Sequence, residues 1–203
     1  MYVMSDDEEN ENNNRQADSF EGMMDKKLME QRKIIISGSV NQKLAEKIIK
    51  LLLFLDGVDS KTPITVIINS PGGDVFSGFA IFDIMKTINA PVITLVAGFA
   101  ASMGSIIMLG SEKGKRYATR NSKVLIHQPL IAGVFEGRAT DIEIQAKEIQ
   151  ETKDRIINLY MKETGQNRDK IAEDMEVDYW MTAEEAVEYG LIDKIIDKLD
   201  EVK

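Results

Sequence analysis

The sequence predicts an α/β fold in which a parallel-rich sheet is covered by helices. Two observations carry the prediction. Short, continuously apolar runs (Ile34–Ile36, Ile64–Ile68, Val92–Val96, Val124–Ile126) are separated by stretches whose apolar residues recur at helical spacing. Strands apolar throughout are strands buried on both faces, which is the pattern of a parallel sheet. At 203 residues, 43% hydrophobic and 29% charged, the chain is long enough to bury one sizeable core and has ordinary globular composition.

The elements follow in order. Residues 1–32 read as an acidic, asparagine-rich tail, of which 1–19, with almost nothing to bury, is expected to be disordered. Within it Phe20, Met23, Met24 and Leu28 recur at helical spacing, so 20–31 reads as a short helix or docking segment. Ile34–Ile36 opens the sheet of a domain spanning 33–203. Apolar positions 44, 48, 51, 52 and 55 predict a helix over 41–55. Ile64–Ile68 is a strand ended by the breaker Ser70-Pro71-Gly72-Gly73, followed by a helix over 76–88 and a strand over 92–96. The small residues 97–101 read as a turn into a helix over 102–109, and Val124–Ile126 is a strand carrying His127 at its end. Thr140-Asp141-Ile142-Glu143 matches a capping box, and helical text runs from there to about residue 164, with Gly165 as stop. Such a helix is ~37 Å long at 1.5 Å per residue, enough to project from the domain. Ile142, Ile149, Ile156 and Tyr160 would form one apolar face on it that wants a partner, and self-association follows. Thr182-Ala183-Glu184-Glu185 opens the last helix, Gly190 ends it, and Leu191–Ile196 is the closing strand.

Charge narrows the function. The net charge is −9, and residues 1–32 account for −5 of it with nine acids against four bases. Nucleic acid or an anionic membrane would want clustered Lys and Arg, so neither is expected as a partner. The absence of cysteine excludes disulfides, thiolate metal sites and a cysteine nucleophile. No signal-peptide pattern and no apolar run of ~20 residues is present, so a cytoplasmic protein is expected.

There is a single histidine, His127. Ser102, in Ala100-Ala101-Ser102-Met103-Gly104, follows a strand and opens a helix among small neighbours, as a nucleophile elbow does. Taken alone, an N-cap serine is the commoner reading of that position. If Ser102 is a nucleophile, His127 is the one imidazole able to take its proton. Gly72-Gly73 marks at least a turn, and at most a backbone N–H left open to an oxyanion. For a third, orienting carboxylate the spacing leaves Asp141, Asp169, Asp174, Asp178 and Asp193 open; Asp178 precedes Tyr179-Trp180, where an apolar setting would make a carboxylate seek an imidazole N–H. No metal-binding or phosphate-loop motif occurs, so no metal and no cofactor is expected.

Ile68-Asn69-Ser70-Pro71-Gly72-Gly73, Ala100-Ala101-Ser102-Met103-Gly104, Ile126-His127-Gln128-Pro129, Ala139-Thr140-Asp141-Ile142-Glu143 and Ala186-Val187-Glu188-Tyr189-Gly190-Leu191-Ile192-Asp193 stand in an order that is specific as a set. From about residue 33 to 197 the chain resembles the proteolytic subunit of the Clp protease, the ClpP family. The resemblance implies a ClpP/crotonase-like fold with a handle helix over about 140–164, and a serine endopeptidase with Ser102 as nucleophile, His127 as base and Asp178 as orienter. It implies oxyanion amides at Gly73 and Met103, and a substrate strand held between Gly72, Asp74 and Val75 on one side and Leu130 and Ile131 on the other. It further implies polypeptide substrates, heptameric rings paired into a tetradecamer, and an AAA+ unfoldase of the Clp type as partner. Three departures stand out. Ile131-Ala132-Gly133-Val134-Phe135 follows His-Gln-Pro-Leu where the family has a Gly-Gly pair, in a stretch longer than usual. Val177 replaces an arginine that joins inter-ring ion pairs. Residues 1–32 do not resemble the family's axial-pore segment. Two alternatives follow: a structural or regulatory subunit that needs a second related subunit, and, on the same fold, a crotonase-type acyl-CoA enzyme.

Overall fold

The apolar runs become a sheet because each is short and rich in β-branched residues; Val92–Val96 is buried on both faces, whereas the edge run Ile34–Ile36 buries Ile34 and Ile36 and leaves Ile35 exposed. A computed structural model describes residues 20–130 and 136–203; the reading of residues 1–19 as a disordered tail lies outside the described residues. In chain order the elements are α1 (Phe20–Glu30), β1 (Lys33–Ser37), α2 (Gln42–Val58), β2 (Ile64–Ser70), α3 (Val75–Thr87), β3 (Val92–Ala101), α4 (Met103–Met108), β4 (Arg116–Thr119), β5 (Lys123–Ile126), α5 (Ala139–Thr164), α6 (Arg168–Asp174), β6 (Tyr179–Thr182), α7 (Ala183–Tyr189) and β7 (Lys194–Ile196), with a final 3₁₀ turn at Leu199–Glu201.

The strands run β1-β2-β3-β4-β7, all parallel. β5 adds to the far end of β3 in parallel, and β6 pairs with β5 antiparallel. One face of the sheet packs Ile36, Val66 and Val96 against Leu52, Ile81 and Ile107 from helices α2, α3 and α4. The other face carries a smaller cluster, Ile93, Leu95, Tyr117 and Ile196, closed by Ile67 and Val202.

The expected α/β architecture is present, with several local differences. Residues 97–101 continue β3 rather than turning, because their small side chains let the strand carry on beside β5. The closing strand starts only at Lys194: Leu191 and Ile192 both donate N–H to the Ala186 carbonyl, finishing α7 around left-handed Gly190 (φ 89°). The capping box expected from Thr140 sits two residues earlier. Asp141 accepts from the Arg138 N–H and from its guanidinium, so Arg138 is the N-cap and Thr140 lies inside the helix. The box at Thr182 and Glu185 forms as expected.

α5 has 26 residues, about 39 Å, and its apolar face divides. Ile156, Ile157 and Tyr160 join the main core, while Ile142 and Ile144 stay exposed on the first turns. The expectation of one continuous partner-seeking face is therefore corrected: its C-terminal half is core and only its N-terminal half is open. Among the described residues no helix is long and apolar enough to cross a membrane.

Candidate active site

The site is assembled by a fork in β3. Its first half pairs with β4 (Thr94↔Arg116 to Val96↔Ala118) and its second with β5 (Phe99↔Lys123 to Ala101↔Leu125). Gly98 (φ 110°) stands at the branch, where a Cβ would lie 2.5 Å from Asn69 Oδ1. The buried Ser122 hydroxyl staples the fork by donating to the Val96 carbonyl at 2.9 Å.

Beyond Ala101, the Ser102 N–H donates to the Leu125 carbonyl (3.0 Å), and the chain then turns sharply into α4. Ser102 holds φ 53°, ψ −123°, a left-handed conformation that a side chain occupies only when its surroundings impose it. Its hydroxyl makes no capping hydrogen bond. Ser102 thus stands at the N-cap position without capping through its side chain, in a strained strand-to-helix turn of the kind a nucleophile elbow makes.

β5 delivers His127. Because Ser102 lies one residue past the Ala101↔Leu125 pair, the serine and the end of β5 share one edge of the sheet. β6 then delivers the carboxylate. The antiparallel pair Ile126↔Tyr179 makes His127 and Asp178 the next opposed pair, with Nδ1 3.5 Å from Asp178 Oδ1. The His127 side chain is 18% exposed and that of Asp178 67%. Of the other carboxylates left open by spacing, three are engaged elsewhere. Asp141 binds Arg138, Asp174 accepts from Tyr189 and Lys170, Asp193 accepts from the N–H groups of Gly114 and Arg116, and Asp169 sits in the first turn of α6.

A polar network holds the segment before Asp178 against the one after His127. The Gln128 N–H donates to the Met175 carbonyl (2.8 Å), and Lys153 of α5 donates to both Gln128 Oε1 (2.9 Å) and Glu176 Oε1 (2.7 Å). Lys153 thereby keeps the Glu176 carboxyl below the usual carboxylate range.

The Ser70-Pro71-Gly72-Gly73 breaker forms the facing wall. Ser70 Oγ donates to the Gly38 carbonyl and accepts from the Gly72 N–H, fixing the turn. Val40 donates to the Gly72 carbonyl (2.7 Å) and accepts from the Asp74 N–H (2.9 Å), a one-residue parallel bridge opposite Gly73. In such a bridge the N–H and C=O of Gly73 itself point away from Val40. Gly72 (φ 83°) lies so close to the serine turn that a Cβ there would stand 2.6 Å from the Ala101 carbonyl oxygen and 2.7 Å from Met103 N. Met103 is the first residue of α4, so its N–H has no acceptor within the helix. Replacing Gly72 by alanine is expected to displace the serine turn, lowering kcat by about 10²-fold or more while circular dichroism reports a folded chain; peptide turnover measures it.

Between these walls lies a cleft of about 540 Å³, with Gly73, Val75, Ser102, His127 and Leu130 around its mouth. Asp74 also lines it; its carboxylate caps α3 through the Ser77 N–H, its own N–H donates to the Val40 carbonyl and its carbonyl accepts from the Gly78 N–H. Ile131 lies outside the described residues. The opposite wall comes from α5: Gln145, Glu148, Ile149 and Thr152. Sequence reasoning assigned Ile149 to a partner-seeking face and missed this wall; the spacing i, i+3, i+4, i+7 was its signal.

A mainly parallel sheet covered by helices, a long projecting helix and a strained serine turn at the sheet edge define the class: this is the ClpP-type α/β fold. The chain belongs to the Clp protease family, whose sequence profile matches residues 15–199. It is 48% identical over 176 residues (87% of this chain, 85% of the relative) to ATP-dependent Clp protease proteolytic subunit 1 of Protochlamydia amoebophila. It is 45% identical over 177 residues to the subunit 1 of Chlamydia muridarum (87% and 92% covered). To the proteolytic subunit 2 of Treponema pallidum it is 42% identical over 182 residues, 90% of each chain. Membership in this family makes the chain a ClpP-type peptidase.

Proposed function

We propose that the chain is a serine endopeptidase subunit that cleaves unfolded polypeptide inside a closed barrel. The observation that carries the reading is the sheet register: the β3–β5 pairing brings Ser102 and His127 to one cleft, and the β5–β6 pairing sets Asp178 beside the imidazole.

With Nδ1 turned to Asp178, His127 uses Nε2 to take the Ser102 proton as Oγ attacks the scissile carbonyl carbon. The tetrahedral oxygen is held by the N–H groups of Gly73 and Met103, each donor worth about 3–4 kcal/mol of barrier. His127 returns the proton to the leaving amine as the C–N bond breaks, and water, deprotonated by the same imidazole, hydrolyses the acyl-serine. Substrate lies extended between the Gly72–Val75 segment and the segment from Leu130 through Ile131. Asp178 orients and offsets the charge on the imidazole. No cofactor takes part.

The body of the subunit spans 33–203, preceded by the acidic segment 1–32. The exposed first turns of α5, with Ile142 and Ile144 open, support assembly through this helix into heptameric rings and a double ring. An AAA+ unfoldase of the Clp type feeds it, and the location is cytoplasmic. A second reading, dependence on a related partner subunit, is favoured by one observation: Asp178 is 67% exposed and 3.5 Å from His127, a long contact that assembly would have to shorten.

The test is turnover of a fluorogenic peptide by the full chain, with mass by light scattering, alone, with a related ClpP-type subunit, and with an AAA+ unfoldase and ATP. Ring-sized particles with turnover lost in Ser102→Ala are expected, and unfolded-protein degradation only with the unfoldase. Turnover that survives Ser102→Ala, or none in any assembly, overturns the reading.

A further inference from the structure

The strain at Ser102 raises the question of what holds its peptide unit in place. The Ser102 carbonyl accepts from the Ser105 N–H (3.0 Å), the Ile106 N–H (3.4 Å) and the Ser105 hydroxyl (2.6 Å). Ser105 Oγ in turn lies 2.6 Å from Tyr160 Oη of α5, and both side chains are buried. A serine hydroxyl has one proton. Since the Ser102 carbonyl has none to give, Ser105 spends its proton there, and the Tyr160 hydroxyl must be the donor to Ser105. The direction of the chain is therefore fixed: Tyr160 O–H to Ser105 Oγ–H to Ser102 C=O. Burial pushes the Tyr160 phenol well above its ordinary range, so the donor proton is retained.

That carbonyl belongs to the same peptide unit as the Met103 N–H. In a planar trans amide the N–H points opposite the C=O. Anchoring the Ser102 oxygen on the core side therefore aims the Met103 N–H at the cleft side, and each hydrogen bond accepted at the carbonyl makes that N–H a stronger donor. We infer that Ser105 and Tyr160 are positioning residues that aim and strengthen the Met103 oxyanion donor through the Ser102 carbonyl. The inference rests on the assignment of Ser102 as nucleophile and Met103 N–H as oxyanion donor. It also ties the site to α5, whose Glu148, Ile149 and Thr152 wall the cleft two to three turns before Tyr160.

The test uses the full chain in the assembly that turns over peptide, with Tyr160→Phe, Ser105→Ala and Ser105→Thr. It reads kcat, KM and melting temperature. It also reads inhibition by a peptide boronate, whose tetrahedral adduct occupies the oxyanion position, beside the corresponding peptide amide, which binds without reacting. Tyr160→Phe is expected to lower kcat about 2- to 10-fold at unchanged KM, the range of one hydrogen bond, and Ser105→Ala by about 10-fold or more. Boronate affinity falls by the same factors, peptide-amide affinity holds, and Ser105→Thr, which keeps the hydroxyl, stays near wild type. If Ser105→Ala fails to assemble, Tyr160→Phe, which keeps the ring, carries the test. Unchanged kcat and boronate affinity overturn the inference, as does equal weakening of boronate and amide. A wild-type chain whose turnover is indifferent to boronate overturns the underlying site assignment instead.

Discussion

Replacing His127 by alanine is expected to lower kcat for peptide hydrolysis by on the order of 10⁴- to 10⁶-fold, with KM little changed. The magnitude follows from substitution without backup: the chain has no second histidine. The neighbouring backbone does not depend on the imidazole, since Ile126 is held by β6 and Gln128 by the Met175 carbonyl. Ring mass should therefore be unchanged, which separates lost chemistry from lost assembly. Asp178→Asn should cost less, about 10²- to 10⁴-fold, because Asp178 is mostly exposed and its contact with Nδ1 is long. Single-turnover and steady-state assays on a fluorogenic peptide check both. A His127→Ala protein within tenfold of wild type would remove the imidazole from the mechanism.

The second large effect is on stability. Arg116 of β4 is fully buried and ion-paired with Glu163 near the end of α5; it also donates to the carbonyls of Glu163 (3.3 Å) and Ser111 (3.1 Å). Lys86 approaches the same carboxylate at 3.6 Å, and burial holds its ammonium below the ordinary range. Removing Glu163 leaves two cations facing each other with Arg116 out of reach of water. Glu163→Ala is expected to destabilise the chain by about 3–5 kcal/mol, whereas the apolar pair Arg116→Met with Glu163→Leu should recover most of that loss. Urea unfolding at fixed protein concentration measures both. A loss under about 1 kcal/mol for Glu163→Ala would mean that the guanidinium is solvated.

How far the sequence was legible depends on what each segment buries. Runs such as Ile64–Ile68 announce themselves because they are apolar on both faces. β4 was missed because Arg116 interrupts its pattern with a charge whose partner, Glu163, is 47 residues away. β6 was missed because it is an edge strand of only four residues with Trp180 half exposed. α6 was missed because it is short and polar, with Ile171 its one buried residue. At the site, residue types pointed to Ser102 and His127, but that the Ser102 hydroxyl makes no capping hydrogen bond is visible only in the structure. Composition left five aspartates open; the β5–β6 register, invisible in single-sequence patterning, singles out Asp178. Ile149 of the α5 wall was read as part of a partner-seeking face because helical periodicity identifies a face without saying what it faces.

The most direct measurement is to treat the assembly with a serine-directed fluorophosphonate and map the adduct by mass spectrometry. The account requires one adduct, on Ser102, abolished in Ser102→Ala and strongly slowed in His127→Ala. Turnover-competent protein that carries no adduct, or carries it on another serine, would contradict the claim that this strained turn holds the nucleophile.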